Sequence, residues 1–351
     1  MRVNEDWRKF ILKSGGRITD GTVDSFGDAG AELQASVDAG VVSDLSQYGL
    51  IAVRGADARS FLQGQLTSDL GAVEASHSQL GAWCSPKGRV LVLLRIMQHK
   101  DAILLKLPAP LVESTLKRLR MYVLRAQVEL EDVSDQFVRL GLSGAAAAGI
   151  LNGCFGETPT SPDQVTAADD SLLVRLAGET PRYVAICRVD TARQCWQSAV
   201  PPLTPVGAAP WSLLGILAGV PEVYVGDEFL PQMLNLDALD GVSFKKGCYV
   251  GQEIVARTHY LGRLKRRLYR LHVDTNEAPA TGASLYETGV AQSTEAAGQL
   301  INAGRHPDGG FAALAVLRID AVGKSALRLG AVDGPAVEIL PLPYPVNNGA
   351  R

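Results

Sequence analysis

The stretch FKKGCYVGQEIVART, residues 244–258, sets one cysteine between two lysines and a carboxylate, with a glycine on either side. Gly247 and Gly251 supply the positive φ or close backbone approach that a tight turn needs, and QEIVART can open a short helix with Glu253 near its positive end. Cys248 falls just ahead of that end, with Lys245 and Lys246 beside it, which gives its thiol two reasons to ionise more readily than a free cysteine. The same residues equally describe a turn plugged by a small apolar side chain, with the lysines solvated. The residues alone leave both readings open.

Working outward, the preceding loop carries Gln232 and Asn235, amides suited to a ligand edge, and Arg257 begins a basic run. That run continues through His259, Arg263, Lys265, Arg266, Arg267 and Arg270. It suits phosphates, RNA or ligand carboxylates, and equally a solvated face; aromatic side chains for base stacking are few, Tyr260 and Tyr269. Beyond Arg263 short alternating segments such as RLYRLHV and FAALAVLRI predict a small antiparallel barrel or sandwich.

Nearer the N-terminus, LIAVRG predicts a strand and DARSFLQGQL a helix. LGAWC, RVLVLLRIM and AILLKL, separated by the turns SPKG and QHKD, predict an antiparallel meander, followed by a helix over 110–121 and the strand AQVEL. A second unit has the same build, with strands FVRLGL, SLLVRL and RYVAICRV, a short helix at 145–150 and a helix TARQCWQSAV, and with 152–170 as loop. The proline-rich 201–210 predicts a boundary, and WSLLGILAGVPEV an apolar helix ending near Gly219. The architecture expected is α+β, with sheets backed by helices on one side.

The chain has 351 residues, 46% of them hydrophobic, with a formal charge of -3. That supports two or three domains and offers no general attraction to nucleic acid or membranes. The five cysteines are scattered without zinc or iron–sulfur spacing, so reduced thiols in a cytoplasm are expected and no metal site is predicted. No apolar run approaches a membrane span, and no P-loop, Rossmann fingerprint, zinc-protease helix or nucleophile-elbow serine is present.

LPQMLNLDALDGVSFKKGCYVGQEIVART, residues 230–258, strongly resembles the signature of the YgfZ family, folate-binding relatives of the glycine-cleavage T protein, an aminomethyltransferase. VRGADARSFLQGQLTSDL (53–70) and CSPKGRVL (84–91) extend the match, which spans roughly residues 45–340. The resemblance implies an aminomethyltransferase-like ring of three domains, two mixed α/β domains and a C-terminal antiparallel β-barrel, around a tetrahydrofolate site. We place the first domain at 1–130, completed by 211–258, the second at 131–210 and the barrel at 259–345. It also implies a role in making or maintaining iron–sulfur enzymes, including one that methylthiolates tRNA, with weak RNA contact as a further partner and Cys248 as the functional thiol. Lys246, Gly247, Cys248, Tyr249, Gly251, Gln252 and Glu253 match the family motif residue by residue. The working groups expected are Cys248 and Lys246, and the cofactor contacts Gln232, Asn235, Tyr249, Gln252, Glu253 and Arg257.

The departures from the T protein bear on chemistry. CSPKGRVLVLL has no carboxylate where that enzyme carries paired aspartates, Pro181 and Arg182 stand where it has a folate-binding glutamate segment, and ILAGVPE lacks its arginine. Without a positioned acid–base group, aminomethyl transfer is not expected. The leading reading is a folate-binding accessory factor. The alternatives are a tetrahydrofolate-dependent one-carbon transferase using Asp57, Asp69 or Glu222, and an RNA-binding module built on Arg257 to Arg270.

Overall fold

Apolar strands with two buried faces need cover on both, and this chain supplies it by stacking two sheets face to face with helices outside them. The computed structural model describes residues 3–222, 228–288 and 295–346. One sheet has five antiparallel strands in the order Gln79–Cys84, Val90–His99, Ala102–Pro108, Tyr48–Arg54, Glu129–Asp132. The helices Ala58–Gln63 and Val112–Arg120 bury Phe61, Leu62, Leu116 and Leu119 against its outer face. Its inner face, with Leu50, Ala52 and Leu104, meets Leu172, Val174, Val184 and Ile186 of the second sheet.

That second sheet has six strands, ordered Val165–Ala168, Ser171–Leu176, Arg182–Cys187, Val138–Gly144, Gly40–Asp44, Thr204–Val206. The expected meander, the second unit and the helix covers are all present. Three expectations need correction. Residues 5–44 do not join the first unit: Gly40–Asp44 pairs with Val138–Gly144, and helix Glu5–Lys13 sets Trp7 and Ile11 into the second sheet's outer core beside Trp196. Pairing between residues so far apart leaves no trace in local periodicity. The proline-rich segment is not merely a boundary, because Thr204–Val206 forms an edge strand, parallel to Gly40–Asp44, where Pro205 is tolerated. The loop expected over 152–170 is shortened by the helix Ala147–Phe155 and the strand Val165–Ala168.

Helix Ala208–Leu217 joins the parts. Trp211 and Leu214 enter the core between the sheets, while Leu213 and Ile216 pack on Leu314 and Val316 of the C-terminal barrel. A helix covered on both sides is apolar all round, as this one is. The barrel closes in the order Arg266–Val273, Phe311–Arg318, Gly298–Arg305, Ser284–Glu287, Leu327–Leu329, Ala336–Leu340. No helix among the described residues is long and apolar enough to cross a membrane.

The start of the joining helix is held by a buried carboxylate. Glu32 accepts from the Phe26 N–H at 2.6 Å and the Gly207 N–H at 2.9 Å. Gly207 must be glycine, since a Cβ there would lie 1.9 Å from the Asp24 carbonyl oxygen. Glu32→Ala would leave both donors without their acceptor, and we expect a loss of about 3 kcal/mol in urea unfolding; an unchanged midpoint would show that the bridge contributes nothing.

Candidate functional site

The cysteine motif is built from contacts that join all three segments of the family resemblance. Gly251, at φ +82°, precedes the helix Gln252–Tyr260, and a Cβ on it would lie 2.4 Å from the Ser85 carbonyl and 2.8 Å from Gly88. Gly88, at φ +69°, would bring its own Cβ within 3.0 Å of the Gly251 carbonyl. The KKGCYVGQE and CSPKG turns therefore meet backbone to backbone, and side chains on either glycine would part them. The Lys246 side chain turns inward and is buried. Its Nζ donates to the carbonyls of Gln63 at 2.6 Å, Leu66 at 2.8 Å and Ser68 at 2.8 Å. Burial pushes its pKa down to about 8, while Asp69 and the three acceptors favour the ammonium form.

The remaining motif residues divide by burial. Gln232 donates to the Val255 carbonyl at 2.7 Å, and Asn235 to the Leu268 carbonyl at 3.0 Å, so both amides pin the loop to its neighbours. Tyr249 is buried, its hydroxyl without a partner among the described residues, and desolvation raises its pKa. Cys248, Glu253 and Arg257 are exposed and Gln252 half-exposed. The basic run splits likewise. Arg267 is buried and donates to the Asp237 carboxylate at 2.5 and 2.8 Å, and Arg270 donates to the Leu217 carbonyl, whereas Arg257, Arg263 and Lys265 face outward. Phe244, His259 and Tyr260 form a small aromatic cluster beside them, with Phe244 stacked on His259 at 3.7 Å.

A separate cavity opens between the two sheets. Leu80, Leu93, Leu107 and Trp211 give it apolar and aromatic walls, and Tyr48, Lys106, Arg182 and Glu222 its polar groups. The Tyr48 hydroxyl donates to the Glu222 carboxylate. Asn302 of the barrel holds the Glu222 backbone through two hydrogen bonds, at 2.9 and 2.8 Å. Lys106 lies with its Nζ 3.4 Å from the centre of the Tyr48 ring, and burial, against the pull of Glu222, lowers its pKa to about 7. Arg182 lies over Trp211 at 6.0 Å; it donates to the Ala177 carbonyl at 2.7 Å, and desolvation lowers its pKa to about 10.

None of Cys248, Lys246, Gln232, Asn235, Tyr249, Gln252, Glu253 or Arg257 lines this cavity. Of the three carboxylates singled out in the sequence, Asp57 accepts from the Gln127 N–H and Asp69 from the Gly71 N–H, while Glu222 alone enters the cavity. Lys106 and Tyr48 escaped notice. A signal existed for the first, since one lysine interrupts the otherwise apolar strand AILLKLP.

This arrangement of two stacked sheets and a barrel is that of the aminomethyltransferase T fold. The chain matches the glycine cleavage system aminomethyltransferase T from Bartonella henselae with a TM-score of 0.74, over 95% of this chain and 96% of that one, at 17% identity. Residues 20–169 match the GCVT N-terminal domain. The chain is 32% identical over 303 residues to the tRNA-modifying protein YgfZ of Colwellia psychrerythraea, covering 86% of this chain and 92% of that one. It is 34% identical over 298 residues to that of Edwardsiella ictaluri, covering 84% and 89%. The chain belongs to the YgfZ family.

Lys246→Met would leave three carbonyls without their donor, and we expect about 3 kcal/mol less stability in urea unfolding. Lys246→Arg should recover little, since a planar fork cannot replace three radial donors in that space. Wild-type stability in Lys246→Met would mean that the ammonium group does not hold the turn.

Proposed function

We propose that the protein is a folate-binding accessory factor for iron–sulfur enzymes that modify tRNA, acting in the cytoplasm, with Cys248 as its working thiol. The observation that carries the folate half is the inter-sheet cavity. A reduced pterin with its glutamate tail needs a flat apolar or aromatic slot, a few fixed polar groups and cations, and the Trp211 and Leu93 walls with Tyr48, Glu222, Lys106 and Arg182 supply each. The buried, unpartnered Nε of Arg182 is a polar group that a ligand can satisfy. When bound, tetrahydrofolate would bring a carrier for one-carbon units; the chain's own residues would bind it, orient it and keep water from it. Relatives at 32–34% identity are named tRNA-modifying proteins, and we carry that role to this chain.

The thiol half rests on access. Cys248 is the exposed cysteine among five, on a turn fixed by Gly251 against Gly88 and by Lys246 against the chain at 63–68. A thiol so placed meets a partner protein rather than the contents of the cavity, and a single cysteine needs a partner's ligands to handle a cluster. A second reading, a tetrahydrofolate-dependent one-carbon transferase, draws support from Glu222, the carboxylate in the cavity.

Two sites predict two phenotypes. In a strain lacking the native protein, Cys248→Ala should abolish rescue of tRNA methylthiolation while the purified variant still binds tetrahydrofolate like the wild type. Trp211→Ala should weaken that binding by about tenfold or more. Undiminished methylthiolation with Cys248→Ala would sink the thiol's role, and release of a transferred one-carbon unit by purified protein would favour the second reading.

A further inference from the structure

The fold redraws the basic run that follows the thiol motif. Arg267 spends its charge on Asp237 and Arg270 donates to the Leu217 carbonyl, so both are used inside the protein. In their place the SPKG turn brings Lys87 and Arg89. These two line a groove with Arg266, Phe229 and Gln299, where the turn meets the barrel strands Arg266–Val273 and Gly298–Arg305. Glu228 is the carboxylate among the groove's described lining residues, and Arg89 donates to its backbone carbonyl. The groove borders the helix Gln252–Tyr260: a Cβ on Gly88, next to Lys87, would lie 3.2 Å from both Ile254 and Val255, so turn and helix form one surface. Lys245, Arg257, Arg263 and Lys265 are exposed in the flanking segments, against Glu253 as the carboxylate between residues 244 and 266. Lys87, Arg257, Arg263, Lys265 and Arg266 enter no ion pair among the described residues. A chain of formal charge -3 thus gathers unneutralised cations on one face. That face also offers flat rings, since Phe244 stacks on His259, and His259 and Tyr260 are both exposed.

We propose that this face binds RNA: the phosphodiester backbone follows the groove on Lys87, Arg89 and Arg266, and unpaired bases stack on His259 and Tyr260, on the same side of the molecule as the Cys248 turn. Both halves of the surface are then used. Arginine and lysine neutralise phosphates, and any base can stack on an exposed ring whatever its sequence. An acidic protein surface would engage the cations and leave His259 and Tyr260 bare. Gly88 against the helix fixes the distance between groove and rings, so a single strand can reach both without a change in the fold. The inference rests on the accessory-factor reading only for the choice of tRNA as the RNA; it needs neither a folate nor the thiol.

Fluorescence anisotropy of a labelled tRNA transcript with the full-length protein tests this. The transcript should bind at low salt and weaken as salt rises, with a log–log slope of about −3, the value for roughly four neutralised phosphates. Lys87→Glu with Arg263→Glu, a reversal at two exposed positions, should weaken binding by about tenfold or more at low salt and flatten the slope by about 2. Tyr260→Ala should weaken tRNA by about fivefold or more. The same variant should leave binding of inorganic polyphosphate, which has the charge without the bases, unchanged. Cys248→Ala should bind tRNA like the wild type. Intact tRNA binding by a Cys248→Ala variant that still rescues methylthiolation would therefore remove the thiol reading and uphold the RNA face, whereas no salt-dependent tRNA binding would overturn the RNA face and leave the thiol reading standing. Binding unchanged by both the double reversal and Tyr260→Ala, in variants with the wild-type urea midpoint, would also overturn the proposal. Competition by poly-L-glutamate as strong as by unlabelled tRNA, with Tyr260→Ala silent, would assign the face to an acidic protein and equally overturn it.

Discussion

Trp211 lies against Gly141, where a Cβ would come within 2.6 Å of its ring. This contact lets the joining helix settle on the second sheet, since any side chain at 141 would lift the indole and with it the rest of Ala208–Leu217. The same helix presents Leu213 and Ile216 to the barrel, so the distance between sheet and barrel depends on how closely Trp211 approaches. The cavity inherits this geometry. Trp211 is one wall, Arg182 lies across its face, and Glu222 follows shortly after the helix ends.

The cysteine motif is held by a different principle. It has little core of its own: Gly251 and Gly88 allow two turns to touch, and Lys246 satisfies the carbonyl of Gln63 at the close of helix Ala58–Gln63 and those of Leu66 and Ser68 in the segment beyond it. Helix ends expose carbonyls that need donors, and an ammonium group satisfies several at once. Three sequence segments that resemble the family are thereby one structural unit. The residues around Cys248 serve mainly to hold the turn that displays it.

Much of the architecture was legible from pattern. The apolar run RVLVLLRIM, flanked by SPKG and QHKD, reads as the middle of a hairpin series, and the alternating strands beyond Arg263 do close into a barrel. The partnership of Gly40–Asp44 with Val138–Gly144 was not legible, because a strand's local pattern does not name its neighbour. The edge strand at Pro205 was hidden for a related reason: proline argues against a central strand, and only the tertiary pairing shows that this one lies at an edge.

For the site, the sequence by itself determined which segments carry the family resemblance: the long motif around Cys248, the SPKG turn and the LQGQLTSDL segment. Tertiary structure decided what each residue does. Lys246 and Asn235 have donors, and donors in a folded chain go to whichever acceptors burial brings near, here backbone carbonyls. Tyr48, Lys106, Arg182 and Glu222 stand far apart in the chain and share no motif. They become one cavity wall because the two sheets stack face to face with Trp211 of the joining helix between them, and no local pattern encodes that stacking.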